Sequence, residues 1–114
     1  MEKKVINSII GEGTTIKGEI NCPGSLQLEG EVVGSIKAVG DIFIAGKGKV
    51  AGDLKGARVV VSGIVEGNII AEKGLEILKT GKVNGEITCD KLLIEEGSSY
   101  QGKVNVPPQR NENY

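Results

Sequence analysis

The chain contains no histidine and no tryptophan. Without histidine it lacks the side chain that most often acts as a general base or holds a metal near neutral pH. Phe43, Tyr100 and Tyr114 are the only aromatics among 114 residues, so large rings cannot fill the interior as they do in most small globules. Its two cysteines, Cys22 and Cys89, are too few and too distant for a zinc-site spacing. No apolar run approaches the roughly 18 residues of a membrane-spanning helix. No basic head, apolar run and cleavage site mark a secretory leader, and the expected compartment is the cytoplasm. Charge of one sign is also missing: 14 basic residues stand against 15 acidic ones, which gives no electrostatic ground for a nucleic-acid partner. No segment sustains the 3.6-residue apolar period of an amphipathic helix.

Glycine is abundant, at 18 residues, and it is ordered. The phrases TIKGEI, EVVGSI, KVAGDL, IVEGNI, KVNGEI and SYQGKV centre on Gly18, Gly34, Gly52, Gly67, Gly85 and Gly102, at spacings of 16, 18, 15, 18 and 17. Two residues before each glycine stand Ile16, Val32, Val50, Val65, Val83 and Tyr100. Two residues after stand Ile20, Ile36, Leu54, Ile69, Ile87 and Val104. Such period-two alternation marks extended chain with one buried face. By that alternation each central glycine points inward, where a side chain would crowd a narrow interior. A third column of mostly small residues follows: Cys22, Ala38, Gly56, Ala71, Cys89 and Val106.

A second phrase lies between the first. Leu26/Leu28, Ile42/Ile44, Val59/Val61, Leu75/Ile77 and Leu92/Ile94 alternate, and each pair leads to a glycine: Gly30, Gly46, Gly63, Gly81 or Gly97. Ser8 and Ile10 form a partial copy ahead of Gly13. These glycines suit bends, where a positive φ carries no Cβ penalty. A unit of about 17 residues with three short extended segments cannot bury its apolar face alone, but stacked units can. The pattern predicts an all-β, single-domain parallel β-helix of about six coils. A tail occupies 1–7, the β-helix 8–106, and a disordered, proline-containing tail 107–114. Six lone glycines without a G-x-x-x-x-G-K-[ST] run are architectural rather than phosphate-binding. Cys22 and Cys89 fall in one column four coils apart, roughly 19 Å, beyond the reach of a disulfide. The carboxylates Glu19, Asp53 and Glu86 fall at outward spacer positions and read as a solvated face. Neither a catalytic set nor a cofactor or metal site is expected.

The ordered alternation of V-x-G-x-I with L-x-I and a glycine bend, from Ser8 to Val106, resembles the bactofilin family. The resemblance implies a right-handed β-helix of roughly triangular section and a bacterial cytoskeletal role. It implies end-to-end polymerisation into filaments without nucleotide and no enzymatic activity. It also implies association with the inner face of the cell membrane, with the filament scaffolding cell shape, envelope-synthesis machinery or chromosome-positioning proteins. The residues themselves support assembly, because both ends of a β-helix are open strand edges that soluble monomers usually blunt, and neither terminal segment offers an apolar cap. The competing reading is a β-helix adaptor that binds a protein partner without polymerising. A β-helix acyltransferase fits poorly, since it would show a strict hexapeptide repeat and a histidine.

Tyr100 breaks its column of Ile and Val in the last coil. It reads either as a plug over the core or as a subunit contact, and the resemblance favours the contact. The candidate C-terminal interface is therefore Tyr100, Val104 and Val106, and the candidate N-terminal interface is Ile10 and Ile16. Phe43, Val60 and Leu93 form a broken outward apolar stripe with Gln27 and Glu76, a candidate lateral contact. Lys3 and Lys4 ahead of Val5 and Ile6 combine cationic and apolar character suited to an anionic surface, a candidate membrane tether of the N-terminal kind that the resemblance implies.

Overall fold

The computed structural model of the protein describes residues 7–105. They form eleven strands and, among the described residues, no helix: β1 (Asn7–Ile10), β2 (Thr15–Cys22), β3 (Ser25–Leu28), β4 (Glu31–Ala38), β5 (Asp41–Ile44), β6 (Lys49–Val61), β7 (Ile64–Glu66), β8 (Ile69–Ile77), β9 (Lys82–Cys89), β10 (Leu92–Ile94) and β11 (Ser99–Asn105). Every pairing is parallel, and each strand lies on the one a coil earlier: β4 on β2, β6 on β4, β5 on β3, β10 on β8, β11 on β9. The result is a parallel β-solenoid of about six turns.

The register puts like residues over like. Ile16, Val32, Val50, Val65, Val83 and Tyr100 stack in one column. Ser8, Leu26, Ile42, Val59, Leu75 and Leu92 stack in another, with Ile10, Leu28, Ile44, Val61, Ile77 and Ile94 beside them. The core is aliphatic, with Leu28, Val50, Ile42, Ile69 and Ile77 wholly buried and no buried polar side chain among the described residues. Interior packing without rings works here because each turn is narrow, and β-branched residues pack well on stacked pleats.

The uneven spacing comes from two corners, each with two lengths. From the small-residue column to the next aliphatic pair the chain takes four residues (Cys22 to Leu26, Ala38 to Ile42, Ala71 to Leu75) or three (Gly56 to Val59, Cys89 to Leu92). From that pair back to the valine column it takes four (Leu28 to Val32, Val61 to Val65) or six (Ile44 to Val50, Ile77 to Val83, Ile94 to Tyr100). The four combinations give spacings of 15, 16, 17 and 18, all of them present. The six-residue corners are closed by turn bonds, as in Gly48 N–H to Ala45 O at 2.9 Å and Gly81 N–H to Leu78 O at 2.8 Å. Where a four-residue corner stacks on a three-residue one, the ladder shifts register between Gly56 and Arg58.

The glycines act differently from the expectation drawn from alternation. The central ones do not point inward. All six have φ between 132° and 144°, a region L side chains rarely adopt. A Cβ at Gly52 would collide with the carbonyl oxygen of Gly34, one coil away along the rod axis. The bend glycines differ too. Gly30 and Gly63 have no left-handed φ; they are needed because a Cβ would strike carbonyls of the neighbouring corner, Thr14 and Gly11 for Gly30, Gly48 and Ala45 for Gly63. Gly97 alone among the five bend glycines has the positive φ, 98°.

Candidate assembly surfaces

A solenoid ends where its ladder stops. At one end β1 and β2 are paired on a single side, to β3 and β4; at the other β10 and β11 are paired only to β8 and β9. The outer edges of these strands carry N–H and C=O groups with no rung beyond them, and such groups template a further strand. Among the described residues no segment lies across either end.

Aliphatic side chains finish each end. At the first, Ile10 is buried while Ile16 is half-buried against the core, and Ile20, not anticipated from sequence, is half-buried beside it. At the last, Val104 and Leu92 are half-buried against the core and Ile94 is 46% exposed. Leu92 and Ile94 were also missed as end residues, because they continue the columns of Leu75 and Ile77 without a break. Val106 lies outside the described residues, as do Lys3, Lys4, Val5 and Ile6.

Tyr100 packs on the core below it and its hydroxyl donates to the Gly85 carbonyl oxygen at 3.2 Å. Burial first, then the nearby Glu86 carboxylate and Cys89, push its phenol pKa above the ordinary value. The ring is only half-buried. It therefore covers the end of the core while leaving a surface for a following rung, and the two sequence readings of Tyr100 are compatible.

Along the side, Ile9, Gln27, Phe43, Val60, Glu76 and Leu93 form one outward column through successive pairings. Ile9, Phe43 and Leu93 are 64%, 41% and 58% exposed. Ile9 was not part of the expected stripe; its place in the column follows from the pairing of β1 on β3. The carboxylates Glu19, Asp53 and Glu86 are exposed on another side; Asp53 accepts from Asn68 at 3.3 Å and Glu86 from Asn105 at 2.8 Å. Cys22 and Cys89 are both free and buried. Burial, with the Asp90 carboxylate beside it, raises the Cys89 thiol pKa, which disfavours the reactive thiolate.

A family model described as bactofilin, polymer-forming cytoskeletal, matches residues 8–105. Bactofilin BacO of Myxococcus xanthus is 33% identical over 100 residues, spanning 88% of this chain and 79% of that protein. Bactofilin BacP of the same organism is 28% identical over 102 residues; the match takes in 90% of this chain and 42% of BacP. Among solved structures, a Thermus thermophilus bactofilin seen by cryo-EM in double helical filaments shares the fold, with a TM-score of 0.83 at 24% identity over 88% of this chain and 99% of that one.

Proposed function

We propose, from the premise that this chain belongs to the bactofilin family of polymer-forming cytoskeletal proteins, that its rods join end to end into filaments without nucleotide or metal. The observation that carries this reading is the pair of open ends, each a bare ladder edge finished by half-buried aliphatics. Joining two such ends pairs backbone groups that water otherwise holds and removes Ile16, Ile20, Ile94 and Val104 from solvent. The contact residues are Tyr100, Val104 and Val106 at one end and Ile10 and Ile16 at the other. The polymer acts as a scaffold rather than a catalyst, and the Lys3–Ile6 segment tethers it to an anionic membrane surface, where shape-determining or envelope proteins gather on it.

Sedimentation and negative-stain microscopy test this. In chelator, with no nucleotide, purified protein should pellet as thin filaments; uniform monomers across salt and concentration would instead favour the adaptor reading. In a parallel arm with anionic liposomes, removing Met1 to Ser8 should reduce co-pelleting, and equal pelleting would remove the tether.

A further inference from the structure

One corner of the rod carries a continuous groove. In the first three rungs a cleft has Cys22, Ala38 and Gly56 along its floor, Lys37 and Lys55 on one wall, and Pro23 and Val39 on the other. Glu72, on the fourth rung, borders this cleft and also the next one, which reaches Cys89 and Asp90 on the fifth. The groove is therefore cationic towards the first rung and anionic towards the last. Its cations repel one another: Lys37 and Lys55 are direct ladder partners, and like charges so placed are unfavourable. Among the described residues neither makes an ion pair. Val39 on the opposite wall is 75% exposed, so the groove also offers apolar surface.

We propose that this groove is the seat of the chain's own segment 107–114, which runs back along the rod axis from the sixth rung to the first. The contact lies within one rod and does not depend on how rods join.

Position and reach come first. Asn105 is paired on Thr88, and Thr88 lines the anionic cleft, so the described chain stops at the mouth of the groove. Pro107 and Pro108 follow. They have no N–H, so the ladder of β11 cannot run on through them, and the chain must leave it at this corner. Eight extended residues cover up to about 26 Å, and five rung spacings take about 24 Å. The segment is long enough to follow the groove to its far end. Its polar composition gives it no core of its own.

The order of charges then sets the register. Arg110, Glu112 and Tyr114 alternate with Asn111 and Asn113, so in an extended chain they share one face. Two residues advance about 6.6 Å, or about 1.4 rungs. With Arg110 at Glu72 on the fourth rung, Glu112 falls between Lys55 and Lys37 on the third and second. Its carboxylate then separates the two like charges. Tyr114 falls a further 1.4 rungs or so along, between Val39 and Pro23, where its ring covers apolar wall. The segment enters at the anionic end and presents its cation first, so direction and charge agree.

Disulfide trapping in the full chain tests this. Val39→Cys is combined with Tyr114→Cys, oxidised, and separated by electrophoresis without reductant. The expected product is an internally cross-linked monomer. A bond from position 114 to the native Cys22, which lines the same cleft, would support the seat equally. Exchanging the tail charges, Arg110→Glu with Glu112→Arg, should slow the cross-link by about tenfold or more, because each charge then meets its like. An unchanged rate would mean random collision of the tail with the rod and would overturn the proposal. Covalent dimers would overturn it by placing the segment on another copy. A bond to Cys89, at the wrong end of the groove, would overturn the register, and no bond at all would leave the groove to a different occupant.

Discussion

Tyr100→Arg should abolish long filaments while leaving a folded rod. In the wild-type chain the ring lies half-buried over the last turn of the core, with its hydroxyl on the Gly85 carbonyl. Losing that hydrogen bond costs about 0.5–1.5 kcal/mol, which a rod held by aliphatic stacking along its whole length can bear. An end-to-end contact through Tyr100 would not bear the charge. A guanidinium trapped unpaired between two rods costs at least several kcal/mol, and each 1.4 kcal/mol is a factor of about ten in affinity, so the contact should weaken by about a thousandfold or more. In the free rod the same guanidinium reaches water from the open end. Short oligomers with unchanged β-type circular dichroism are the expected product. Glu66→Lys, an exposed charge change in the middle of the rod, should leave filament length unaltered. Normal filaments from Tyr100→Arg would refute the interface, and an unfolded chain would show that Tyr100 is only a plug.

Gly52→Ala should fail at an earlier step, in folding. Gly52 has φ of 143°, and a strained conformation of this kind costs on the order of 1–3 kcal/mol for a residue with a side chain. The methyl would also lie on top of the Gly34 carbonyl, so two rungs must move apart in the middle of a continuous ladder. Together these should exceed about 4 kcal/mol, beyond what most single substitutions do. At about 4 °C per kcal/mol for a domain of this size, the melting temperature should fall by at least 15 °C or the chain should not fold. Gly46→Ala is the informative comparison: it is exposed, has no left-handed φ, and its Cβ would meet nothing within 4 Å. Its effect should stay within about 0.5 kcal/mol. Equal melting of the two variants would show that the glycine column is not what lets the rungs approach.

The difference between these glycines marks where reading the sequence stops. Columns such as Val32–Val50 and Leu26–Ile42 are legible because alternation and spacing are properties of the chain itself. The strands, the stacked register and the buried cysteines follow from them. Why Gly52 must be glycine is not legible in this way, because the obstacle is an atom of Gly34, one coil away. Alternation assigned the glycine to the interior, whereas the positive φ turns the missing Cβ along the rod axis. The corners were only partly legible: the spacings of 15 to 18 could be measured, but their origin in two corner lengths appears only when Gly56 and Ala71 lie side by side. For the assembly surfaces, Tyr100 stood out because it breaks a column of Ile and Val. Ile94 did not, since it continues its column and only its place in the last rung exposes it.

In a filament joined end to end, the rods continue one another along a single axis. X-ray fibre diffraction from aligned filaments measures this directly. Strands in a β-solenoid run across the rod, so rungs repeat along it at about 4.8 Å. End-to-end joining predicts a sharp reflection near 4.8 Å on the meridian, parallel to the filament axis. The same spacing found on the equator would mean that the rods lie crosswise and assemble through their sides, which would contradict end-to-end polymerisation.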